Sequence, residues 1–176
     1  MWVKLRISIL LIISCFFGIS IGNLLVSQYE ANTFKPWEWK KPPLIINCYG
    51  ERLSPNYINK SVDFWITKGE NILFVEHEPI GSICNKRNTI ASGVIKIYEG
   101  NDITFDSHRT LGVTKRKASI TTGIIGANIY IRSGHYTIKN LLTHELGHAF
   151  GYTHIVADGH IMHPITGKMG DKFWIP

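Results

Sequence analysis

The sequence predicts a single α+β domain, and three observations carry that prediction. Apolar runs at Leu44–Tyr49, Ile72–Glu76, Val94–Tyr98 and Ile124–Ile131 have the length of strands. Between the first two, Ser54-Pro55 opens a stretch where Ile58, Val62, Trp65 and Ile66 recur at helical spacing until Gly69. A second helical stretch, from about Ile138 to Phe150, carries His144 and His148 four residues apart, so both imidazoles leave one face a turn apart. The chain of 176 residues is long enough for one domain with a proper core.

Residues 1–27 read as a targeting segment. Lys4 and Arg6 precede an apolar run from Ile7 to Val26, about 20 residues, which as a helix spans roughly 30 Å of hydrocarbon. Basic residues before the run and polar Gln28 and Glu30 after it place the N-terminus inside and the rest outside. Three readings fit: an uncleaved signal anchor, a signal peptide cleaved near Ser20 and Gly22, and a lipobox at Ile12-Ile13-Ser14-Cys15. Each delivers the domain outside the cytoplasm, membrane-anchored or secreted. Residues 28–43, with Pro36, Pro42 and Pro43, read as a linker to a domain over 44–176. Trp37 and Trp39 suit either packing on that domain or a membrane interface.

Within the domain, a strand, a helix and a second strand suggest a right-handed crossover and a partly parallel sheet. Glu76-His77-Glu78 read as polar strand-end positions, since neighbours on a strand point to opposite faces. Residues 79–92 read as loop. Val94–Tyr98 and Ile103–Phe105 are strand candidates around a Gly100-Asn101 turn. Leu111-Gly112-Val113 and Ala118–Thr122 are separated by Lys115-Arg116-Lys117, read as a solvated loop because no nucleic-acid motif surrounds it. Thr137 reads as the cap of the 138–150 helix, with Leu141, Leu142, Leu146 and Ala149 on its buried side.

The chemistry concentrates in residues 144–163, which hold five of the eight histidines. Glu145 lies between the two helical histidines, Gly151 ends the helix, and His154 can return to the same point. Three neutral imidazoles that leave a fourth position open suit a catalytic zinc ion better than a structural one.

The run His144-Glu145-Leu146-Gly147-His148-Ala149-Phe150-Gly151-Tyr152-Thr153-His154 resembles the metzincin signature, and Met162-His163-Pro164 resembles the Met-turn of its matrixin-like branch. The resemblance implies a metzincin-like zincin fold: a twisted mixed sheet with an edge strand over the cleft within 110–122, two main helices and a short C-terminal subdomain. It implies a zinc-dependent endopeptidase in which His144, His148 and His154 hold one Zn2+ and Glu145 takes a proton from metal-bound water. Met162 then floors the site, and His163, Pro164, Ile165 and Thr166 form a wall of the substrate pocket. Substrate would be an extended protein or peptide strand laid against the edge strand. Two positions depart from the family: Pro164 replaces a tyrosine of other metzincins, and Thr166 replaces a tyrosine usual in matrixins. The broken run Ile165–Pro176 stands where matrixins carry a C-terminal helix. That leaves the lower subdomain minimal, or completed by a partner or by residues 28–43.

Other metals fit less well. Asp102, Asp106 and His108 invite calcium or a second zinc, but lack the matrixin structural-metal pattern and read as solvated loop. The formal charge of +6 falls to +4, 17 basic against 13 acidic residues, once Lys4 and Arg6 are set aside. That mild excess suits solubility or acidic substrates and no nucleic acid. Cys48 and Cys84 remain in the body once Cys15 is set aside, and their pairing is open on sequence. The surroundings of Cys48 do not match a latency thiolate. Two rivals accompany the endopeptidase: an exported zinc hydrolase of cell-wall peptides, and a silent zinc-stabilised peptide-binding module. Folding around zinc needs no Glu145, which speaks against the second.

Overall fold

A computed structural model describes residues 34–78, 82–101 and 104–176. The apolar run 7–26 lies outside them. Among the described residues, no helix is long and apolar enough to cross a membrane.

The architecture is mixed α+β, as the sequence predicts. Five strands, β1 (Leu44–Asn47), β2 (Phe74–Glu76), β3 (Val94–Gly100), β4 (Gly112–Ser119) and β5 (Gly123–Arg132), form one sheet in the order β2-β1-β3-β5-β4. All neighbours are parallel except β4, which pairs antiparallel with β5 at the edge. Two α-helices lie wholly within the described residues, α1 (Pro55–Thr67) and α2 (Leu141–Phe150). Alternation along the strands sorts two faces. Ile45, Ile95, Ile97, Ala127, Ile129 and Ile131 join the core beneath the helices. On the other face, Lys96 pairs with Asn128 and Tyr98 with Tyr130. There Lys96 Nζ donates to the Lys86 and Thr89 carbonyls, and Tyr130 Oη to that of Arg87, which ties down the 86–89 loop.

Helix α1 starts as its sequence dictates: the Ser54 hydroxyl accepts the Tyr57 N–H at 3.3 Å, and Pro55 occupies the first turn. Its buried stripe is Ile58, Val62 and Trp65, whereas Ile66 is half exposed. That stripe places Tyr57, Ser61 and Trp65, spaced by four, against the start of α2. Tyr57 Oη donates to the Ile138 carbonyl, Thr143 Oγ1 meets Ser61 Oγ, and Trp65 Nε1 donates to the Thr143 carbonyl at 2.7 Å. Three polar contacts therefore fix the height and rotation of α2, because a shift would leave buried donors unpaired.

Four sequence expectations are corrected. Lys115-Arg116-Lys117 is not a loop: it lies in β4, whose pairing with β5 from Gly112 to Ser119 outweighs its composition. Thr104 and Phe105 form no strand, because Phe105 folds back to pack with Tyr98 and Tyr130. Helix α2 begins at Leu141 and not at 138, since Asn140 adopts φ 66° and Tyr57 holds the Ile138 carbonyl. Thr137 is exposed and caps nothing.

Of the segment read as a linker, residues 34–43 pack on the domain. Phe34 is buried against Tyr152 and Phe173, its carbonyl accepts the Thr153 N–H, and Trp39 Nε1 donates to the Ala149 carbonyl. The tail carries a 3-10 turn at Thr166–Lys168 and no α-helix. It folds back through the Ile161 N–H to the Lys172 carbonyl and through His160 Nε2 to the Trp174 carbonyl. A disulfide between Cys48 and Cys84 closes a separation of 36 residues, a loop whose closure is worth about 4 kcal/mol.

Candidate metal centre

Each histidine of the predicted trio is positioned by its own local structure. His144 and His148 sit one turn apart on α2, with ring centroids 4.7 Å apart. Gly151 adopts φ 109°, out of reach of side chains with a Cβ, so the chain reverses and delivers His154. The Nε2 atoms converge: His148 lies 3.0 Å from His154, and His154 lies 3.3 Å from His144. Among the described residues these three form a group able to hold a metal ion, their ligand atoms all within 4.8 Å of one another. Asp106 and His108 join no such group.

The residues fit a metal by their donor chemistry. His144 Nδ1 lies 2.8 Å from the Ile161 carbonyl, and His148 Nδ1 lies 2.9 Å from that of Tyr152. A carbonyl only accepts, so each Nδ1 carries the proton and each Nε2 presents a lone pair. Tetrahedral zinc with nitrogens at ~2.05 Å spaces those nitrogens about 3.3 Å apart. The separations of 3.0 and 3.3 Å between His154 and its two partners lie at or just below that value. Burial holds His144 down at about 4 and His148 at about 3, the latter also through the neighbouring His144, and partial burial lowers His154. The rings therefore remain neutral ligands at neutral pH.

Glu145 points from the same turn of α2 into the sheet edge. Burial pushes its carboxyl up to about 7, against a hydrogen bond from Thr114 that lowers it. Thr114 Oγ1 reaches Glu145 Oε2 at 2.6 Å and the Glu145 carbonyl at 3.0 Å. Two residues either side, Gly112 and Arg116 share that face of β4. A Cβ on Gly112 would lie 2.4 Å from Glu145 Oε1, and Arg116 Nη1 donates to the His148 carbonyl at 2.7 Å. These three contacts were missed in the sequence. The alternation of Gly112, Thr114 and Arg116 was the available signal, hidden by the loop reading of the basic cluster.

Met162 is fully buried beneath α2, where a Cβ on Gly147 would come 2.4 Å from its sulfur. The predicted pocket wall divides. Pro164 and Thr166 line a cleft of about 510 Å³ together with the three histidines and Glu145. His163 turns inward because its Nδ1 accepts the Ile165 N–H, leaving Nε2 facing Asp158 at 3.5 Å, and Ile165 projects to solvent. His160 is likewise structural: its Nδ1 accepts the Met162 N–H at 3.0 Å.

Fold and site together define a mixed α+β domain with a three-histidine centre suited to a metal ion, in which His144 is buried and His154 lies at the surface. The chain matches no protein-family model and no curated protein.

Proposed function

We propose that the chain is a zinc-dependent endopeptidase of the metzincin type, matrixin-like in its Met162-His163-Pro164 turn. The observation that carries the reading is the convergence of three imidazoles beside a buried carboxylate, on a cleft bordered by an edge strand. Zinc bound there supplies a Lewis acid that polarises a carbonyl and makes water acidic near neutrality. Glu145 accepts the proton of the attacking water and releases it to the leaving amine. Thr114 holds one carboxylate oxygen so that the other faces the cleft. Strand β4, whose strand neighbour among the described residues is β5 alone, offers backbone N–H and C=O groups to an extended substrate.

Residues 7–26 anchor this domain on the outer side of a membrane in our reading. The apolar run supports that placement, as does the Cys48–Cys84 disulfide, a bond rare in reducing compartments.

The test combines zinc content with cleavage of an unstructured protein, with and without chelator. Wild type should bind about one zinc and cleave until chelated. Glu145→Ala should keep the metal and lose cleavage, and His148→Ala should lose both. Full cleavage by the Glu145 variant would rule out the mechanism.

A further inference from the structure

The cleft beside the histidines is unequally charged. Arg109 and Arg116 line it, and the acid among its lining residues is Glu145, buried and already bonded to Thr114. Arg116 is engaged as well, since its Nη1 donates to the last turn of α2. Arg109 differs. It stands exposed at the rim before β4, and its backbone N–H donates to Ser107 Oγ. Its guanidinium makes no hydrogen bond or ion pair with any of the described residues. Leu141, Pro164, Thr166 and Met169 line the same cleft and carry no charge. Asp158, the acid of the neighbouring turn, is taken by Lys168 at 3.1 Å and by His163.

A guanidinium without a partner among the described residues, in a cleft whose other charged groups are engaged, is a selective device. Its planar fork matches the two oxygens of a carboxylate and offers a neutral amide much less. We propose that Arg109 makes this cleft select peptides bearing a carboxylate beside the histidine trio. The proposal rests on the peptidase reading for its ligand class and on the charge of the cleft for its selectivity. The carboxylate has two sources, an Asp or Glu side chain and the C-terminus of a short peptide, and both present the same chemistry to Arg109.

The experiment uses the full chain in detergent, zinc-loaded, with Glu145→Gln to prevent turnover, and measures peptide binding by calorimetry. Three alanine-rich hexapeptides serve as probes: one blocked with a central Glu, one blocked with Gln, and a Gln peptide with a free C-terminus. The expected result is about tenfold tighter binding of a carboxylate peptide than of the blocked Gln peptide, a size suited to one charge-assisted pair at an exposed rim. That preference should shrink in high salt. It should vanish in Arg109→Gln and survive in part in Arg109→Lys. Preference for the Glu peptide assigns the side chain as the source, and preference for the free C-terminus assigns the terminus. Equal binding of all three, no measurable binding of any, or a preference that outlives Arg109→Gln would overturn the proposal. Cleavage of the same peptides by protein retaining Glu145 is scored separately. Arg109-dependent binding without any cleavage would remove the peptidase reading and leave the carboxylate site standing.

Discussion

Thr114 Oγ1 lies 2.6 Å from Glu145 Oε2, so a hydroxyl of the edge strand holds the one carboxylate beside the histidine trio. The bond favours the ionised carboxylate, whereas burial opposes it and sets the group near 7. Thr114→Val keeps the shape and removes the donor. The carboxyl then rises further, and the acid limb of the activity profile moves to higher pH. Turnover should fall about tenfold with little change in KM, the range of a misplaced proton acceptor. Thr114→Ser should restore both limb and rate. A Val variant with the wild-type profile would show that the hydroxyl only packs.

Two glycines pack against the same helix with opposite consequences. At Gly112 a new methyl meets the end of the Glu145 side chain, which can swing away. Gly112→Ala should therefore lower activity while the melting temperature stays nearly unchanged. At Gly147 the methyl meets Met162 Sδ and Trp65, both fully buried. Overpacking there should cost about 1–3 kcal/mol in chemical denaturation.

Much of the architecture was legible because local signals and long-range packing agree. Ser54-Pro55 starts α1 by cap chemistry alone, β3 and β5 are largely apolar strands, and His144, His148 and His154 are spaced by helix pitch and a glycine reversal. The failures share a cause. Strand β4 carries Lys115, Arg116 and Lys117 in succession, so its extended state comes from β5 and not from its own composition. The start of α2 is set by distant contacts: Tyr57 holds the Ile138 carbonyl, and Asn140 Nδ2 donates to the Gly170 carbonyl in the tail. Thr114 and Gly112 carry no motif, because their role comes from facing a helix distant in the chain.

Phe34 joins the N-terminal stretch to the site. Its ring is buried against Tyr152, which stacks on Trp65, and its carbonyl takes the Thr153 N–H next to His154. Phe34→Ala should cost about 3–5 kcal/mol, the range for a buried aromatic. A protein beginning at Leu44 should be less stable still and bind metal more weakly, because the loop carrying His154 loses its backbone partner. Metal affinity at wild-type level in that truncation would separate the stretch from the centre.

The histidine trio also sets how the metal-free protein responds to acid. Unfolded, each ring titrates at its ordinary value near 6.5. Folded, burial holds His144 at about 4 and His148 at about 3. Between these values and 6.5 the unfolded chain binds more protons, so stability rises with pH there. Their contribution is complete above the unfolded value and is lost as pH falls through the folded ones. For His144 alone the interval corresponds to roughly 3 kcal/mol at ~1.4 kcal/mol per pH unit. Glu145, raised to about 7, opposes this slope above pH 4.5, so urea unfolding of metal-stripped protein should show stability falling from about pH 6.5 to pH 4 and most steeply below pH 4.5. His144→Gln should flatten part of that slope while lowering the plateau little. Added zinc should raise stability above pH 6 and do little near pH 4, where protons compete for the same lone pairs. A flat profile in the stripped protein would mean that these rings are solvated and not enclosed.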